Sequence, residues 1–185
     1  MAGALPRVAI VAVLALVVRL AIAAALAQGT SLEAAIKATY LYKFAPYVVW
    51  PPETFAAPQS PLALCIVGDD ALGGMIERVA KGQMEGERPI VVRRSAATER
   101  ARGCQIVFVS GSDSQAVSGM LAALRGAPVL TVTDSIRDPD AKGIINFVLR
   151  DNHVRFEIDD RAAAASGLTI SSKLLSLAVD VRPRM

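Results

Sequence analysis

A single histidine, His153, stands in the 185 residues, and no G-x-S-x-G accompanies it. Ser-His-Asp catalysis therefore has no support, and His153, falling at a predicted turn, reads as a surface residue. Neither G-x-x-x-x-G-K-[ST] nor G-x-G-x-x-G occurs. At the one strand–Gly–helix junction, Asp69 and Asp70 follow Gly68 and would repel an anion at the helix start. Only two cysteines are present, without the paired spacing of a zinc site. No Lys/Arg cluster with interleaved aromatics is found, which excludes nucleic acid as the expected partner. Asp134, Asp138 and Asp140 crowd one loop, but their spacing is not that of a calcium loop and Arg137 sits among them. Glu157, Asp159 and Asp160 are close enough to consider for acid/base work, yet the two aspartates are better explained as helix caps. No catalytic residue, metal ligand or cofactor is expected, and the chain does not read as an enzyme.

What is present starts with an apolar N-terminus. Arg7 precedes the run Val8–Val18, Arg19 interrupts it, and Leu20–Ala27 ends in Ala25-Leu26-Ala27. This is the pattern of a secretory leader with an A-x-A cleavage site, assigning residues 1–27 to a signal peptide and 28–185 to one mature domain. An uncleaved anchor is the alternative. Arg19 counts against it, since a charge at the centre of a spanning helix costs about 2.5–3.5 kcal/mol. Cleavage removes Arg7 and Arg19 and no acid, so the net charge falls from +3 to +1.

Export gives the two cysteines a meaning. Leu62-Ala63-Leu64-Cys65-Ile66-Val67-Gly68 is a continuous apolar run ended by glycine, the signature of a strand covered on both faces. Cys104 opens a second such run, Gln105–Val109. The two strands are expected side by side with Cys65 and Cys104 joined, as two cysteines in an oxidising compartment favour; two buried free thiols are the alternative.

The remaining elements follow in order. Thr30-Ser31-Leu32-Glu33 reads as a capping box for a helix through Phe44, with Ile36, Tyr40 and Phe44 as its apolar stripe. Tyr47–Trp50 follows, stopped by Pro51-Pro52. A helix is expected over 70–81, with Leu72, Met75, Ile76 and Val79 inward and its start weakened by Gly73-Gly74. Strands are expected at 89–93, 105–109 and 128–132, with a helix over 115–125. Residues 143–149 and 153–158 flank Arg150-Asp151-Asn152 and read as a hairpin with Val154, Phe156 and Ile158 on one face. It would give the sheet an antiparallel edge. Asp159-Asp160 cap a short helix, and Ser171 or Ser172 starts a last one. The fold class is α/β: one domain, an open mixed sheet flanked by helices in a Rossmann-like arrangement, with a C-terminal antiparallel hairpin.

Three stretches together carry a family likeness. They are Lys37-Ala38-Thr39-Tyr40-Leu41-Tyr42-Lys43-Phe44 leading to Trp50-Pro51, then Cys65-Ile66-Val67-Gly68, then Val154-Arg155-Phe156-Glu157-Ile158 with Gly167–Ala178. In order and spacing the chain resembles the YfiR family of bacterial periplasmic proteins over roughly residues 31–181. Cys65 and Cys104 fall where such proteins carry a disulfide; the second pair that some members have is missing. The resemblance implies a repressor that binds the periplasmic sensor domain of a membrane diguanylate cyclase. It also implies an OmpA-like outer-membrane lipoprotein that sequesters the repressor, a cyclic-di-GMP output that governs biofilm formation, and a tendency to form homodimers.

A repressor without catalytic groups acts by contact. The polar face of the hairpin, Arg150, His153, Arg155 and Glu157, is the candidate surface, with Phe147 as either an apolar anchor or a core residue. The competing reading is a periplasmic small-molecule-binding module serving a transporter or sensor. Tyr40, Tyr42, Tyr47 and Trp50 are its candidate lining.

Overall fold

The computed structural model describes residues 32–69, 72, 74–95 and 98–184. The expected leader, the Thr30-Ser31 half of the capping box and Asp70 lie outside these. The chain begins with helix α1 (residues 32–43), a 3-10 turn Ala45–Tyr47 and the short strand β1 (Val48–Val49). There follow β2 (Leu62–Gly68), α2 (Met75–Ala80), β3 (Met84–Glu85) and β4 (Arg88–Ser95), then a 3-10 segment, Thr98–Gly103. Next are β5 (Ile106–Ser110), α3 (Ser114–Leu124), β6 (Leu130–Asp134), β7 (Ile145–Arg150) and β8 (His153–Asp159). The C-terminal part holds α4 (Asp160–Ala165), β9 (Thr169–Ile170), α5 (Ser172–Leu175) and β10 (Asp180–Arg182).

Eight strands form one sheet in the order β10-β8-β7-β6-β5-β2-β4-β3. The stretch from β4 to β7 is parallel, and β7–β8 and β3–β4 are antiparallel. This is the expected mixed α/β sheet with its hairpin. The hairpin is not the edge, however. β10 adds to β8 in parallel, with Asp180 opposite Glu157 and Arg182 opposite Asp159. A separate two-stranded pair, β1 with β9, ties the segment after α1 to the C-terminal part.

Strand β2 is buried from Leu62 to Val67, as an uninterrupted apolar run requires. Its alternating side chains feed two clusters. Leu62, Leu64 and Ile66 join Ile106, Phe108, Leu130 and Val132 under α1. Ala63, Cys65 and Val67 join Val107, Val109, Val117 and Leu124 under α3. The Cys65–Cys104 disulfide lies in the second cluster, with Cα atoms 6.0 Å apart, inside the usual range for a bridge. β2 and β5 are neighbours, as expected, with Cys104 just ahead of β5 rather than within it.

Two further expectations need correction. The buried face of α1 is Ala38, Leu41 and Phe44, whereas Ile36 is exposed; the stripe is rotated from the one expected. The helix expected from Asp70 starts at Met75, because Gly74 takes a left-handed φ of 69° that a right-handed helix does not accept. Glu33 pairs with Lys37 one turn on.

Caps fall where the sequence places them except at Asp160, which pairs with Arg184 and leaves the cap to Asp159. Asp113 accepts from the Gln115 N–H, Asp159 from Ala162 and Ser171 from Leu174, starting α3, α4 and α5. Asp138 accepts from the Asp140 N–H, so part of the acidic loop serves a turn.

Candidate interaction surface

The hairpin turn fixes which side chains meet. Asp151 and Asn152 sit at φ of 51° and 58°, the left-handed pair that a two-residue turn of strand-compatible twist requires. Asp and Asn tolerate this region better than other non-glycine residues. Arg150 then pairs with His153, Val148 with Arg155 and Asn146 with Glu157 on one face. Leu149 and Val154, Phe147 and Phe156, and Ile145 and Ile158 share the other.

Apart from Leu149, exposed beside the turn, that second face is core. The Phe44 ring lies 5.9 Å from Phe147 and 5.2 Å from Phe156, and Tyr40 is 5.8 Å from Phe156. Phe147 is 0% exposed, so it is a core residue and not an anchor for a partner. Trp50 is also buried, its indole N–H donating to the Gln105 carbonyl at 3.3 Å. Tyr40 belongs to the aromatic cluster. The four residues expected to line a ligand pocket are thus drawn into packing, and Tyr40 also borders a surface hollow, with Ala35, Ile36, Thr39 and Lys43.

The first face divides in two. Toward β10 it is a closed polar network. Lys142 donates to Glu157 at 2.6 Å, and the Asn146 amide donates to Glu157 at 3.4 Å and to the Ile136 carbonyl at 3.1 Å. The Asn146 oxygen accepts from the Thr133 hydroxyl at 2.9 Å, and Thr133 in turn accepts from the Gly143 N–H. Glu157 is therefore half-buried and structural: it pins the 135–143 loop to β7 and β8. Beyond it, Arg182 meets Asp159 at 3.3 Å, and Arg184 grips Asp160 with two bonds of 2.7 and 2.9 Å. The Asp160 hydrogen bond raises the Arg184 pKa above its ordinary value.

Toward the turn the same face is open and basic. Arg150, His153 and Arg155 are all exposed, around half-buried Val148. Neither arginine has a carboxylate within 4.0 Å among the described residues. The His153 Nδ1 lies 2.7 Å from the Asp151 carbonyl, and a proton placed there donates to it. Of the five expected residues, the structure brings three together at the surface. Phe147 goes to the core and Glu157 to a structural ion pair.

Lys37 was not singled out from the sequence. It is 4% exposed, and its Nζ donates to both Asp134 oxygens at 2.7 Å while also meeting Glu33. It joins α1 to the end of β6. The i,i+4 spacing of Glu33 and Lys37 was its readable signal.

A family model described as YfiR/HmsC-like matches residues 34–179. The chain belongs to the YfiR/HmsC-like family. No curated protein matches it. Among solved structures it is similar to a conserved domain protein from Vibrio cholerae O1 biovar eltor, at 13% identity and a TM-score of 0.51. The match covers 65% of this chain and 54% of that one, and at this identity it supports the α/β fold alone. No helix among the described residues is long and apolar enough to cross a membrane.

Proposed function

We propose that this YfiR/HmsC-like protein is a periplasmic regulator of cyclic-di-GMP signalling. In this reading it acts by contact, binding the periplasmic sensor domain of an inner-membrane diguanylate cyclase and holding the enzyme in its repressed state. Family membership and the disulfide support the compartment and the signalling class. The single observation that carries the contact surface is the open basic face at Arg150, His153 and Arg155. Arginines without a carboxylate partner among the described residues suit an acidic partner surface, because the planar guanidinium fork matches a carboxylate and loses less entropy per hydrogen bond formed. Sequestration by an OmpA-like outer-membrane lipoprotein and homodimer formation belong to the same proposal.

The test is charge reversal. Arg155→Glu should leave the melting temperature within about 2 °C of wild type, as surface substitutions do. It should also abolish co-purification of the membrane cyclase and raise cellular cyclic-di-GMP. A folded variant that still co-purifies with the cyclase and still represses it contradicts the proposal.

A further inference from the structure

The parallel strands change their direction of addition between β2 and β5. β4 joins one side of β2; the chain then returns and lays β5, β6 and β7 on the other. In open α/β sheets, ligands bind outside the carboxyl ends of the strands at such a reversal. Here those ends enclose a cavity of about 280 Å³ lined by Asp69, Ser110, Ser112, Asp134 and Ile136 together with Val109 and Gly111. That is just under the ~300–1,000 Å³ of drug-sized sites, so it suits a small metabolite. A larger hollow of about 340 Å³ opens between α3 and α4, but its Lys142 is already held by Glu157.

The cavity exists because the strand ends carry little bulk. Gly68, the register partner of Ser110, has φ of 91°, and a Cβ there would lie 1.8 Å from the Ser110 backbone oxygen. No side chain from β2 fills the space. Phe108 and Val132 are register partners, so Ser110 and Asp134, each two residues further on, lie side by side on the same face. Ser110 is only 8% exposed, yet its hydroxyl has no hydrogen-bond partner among the described residues. Its oxygen is not fully buried, so it opens onto the cavity.

The surrounding charge selects the ligand. Asp69 is exposed and forms no ion pair with a described residue, while Asp134 and Glu33 share the single charge of Lys37. The N-terminus of α3 is close by, but its Gln115 N–H is occupied by Asp113. Asp69 and Asp134 are the charged residues of the lining, and only Asp134 is paired with a cation among the described residues, so the cavity is acidic and an anion is repelled.

We propose that this cavity binds a small primary amine. Its ammonium donates to the Asp69 carboxylate, to the Ser110 hydroxyl and to the lone pair that Asp134 Oδ2 keeps beside the bonds from Lys37 and Ser135. The site is independent of the hairpin face.

Calorimetric titration of the disulfide-bonded protein with putrescine tests this, with inorganic phosphate as the anionic comparison. Saturable putrescine binding is expected, and none for phosphate. Asp69→Asn, at an exposed position, and Ser110→Ala should each weaken it at least tenfold, while Arg155→Glu leaves it unchanged. No heat from putrescine, binding of phosphate instead, or a folded Asp69→Asn protein with wild-type affinity each overturns the assignment.

Discussion

The two halves of the sheet are protected from water differently. In the parallel half, β2 and β5 send apolar side chains from both faces, and two clusters, one containing the disulfide, cover them. From β7 to β8 only one face is apolar, and the other is a polar network that opens into Arg150, His153 and Arg155. The first half holds the fold together through both faces; the second holds it through one face and leaves part of the other exposed. Under the proposed function, a partner would read the hairpin without disturbing the core, because the two-residue turn keeps the faces from exchanging.

The comparison is broken most forcefully on the hairpin's buried face. Phe147→Ala removes a ring that touches Phe44 and leaves a cavity, and about 3–5 kcal/mol of stability should be lost in urea unfolding. A loss under 1 kcal/mol would mean that this face is not core. In the parallel half, replacing both Cys65 and Cys104 with Ala opens a cross-link spanning 39 positions. About 4 kcal/mol is expected from the chain-entropy model, read as a lower urea midpoint. A midpoint unchanged from wild type would show that packing alone holds β2 and β5. Glu157→Ala leaves Lys142 and the Asn146 amide without their carboxylate, for about 1–3 kcal/mol. Faster amide exchange should then appear in the 135–143 loop. Arg155→Glu, on the open face, should cost under ~0.5 kcal/mol. Equal losses at 155 and 157 would erase the division of that face.

Much of this architecture was legible in the residues. The apolar run at 62–67 announced a doubly covered strand, and the 153–158 alternation announced a half-buried one. The position of Phe147 was legible too: once Asp151-Asn152 is taken as a two-residue turn, parity sets Phe147 opposite Phe156, on the apolar side. β1, β3, β9 and β10 were not, because two or three residues show no periodicity and pair only through backbone. Of the candidate surface, Arg150, His153 and Arg155 were readable as polar positions of a strand. The structural role of Glu157 was not, since Lys142 and Asn146 reach it from another strand and a loop. The cavity over Ser110 needed the strand order, which sequence pattern alone does not supply.

One measurement bears most directly on the central claim that the hairpin's basic face is the repressing contact. A photo-crosslinking amino acid placed at position 155 in the exported protein, followed by identification of the adduct, reads that contact in the cell. The expected product is a cross-link to the periplasmic domain of a membrane diguanylate cyclase, absent when the crosslinker replaces Ala122 on the exposed side of α3. A cyclase adduct from position 122 and none from 155 would contradict the claim.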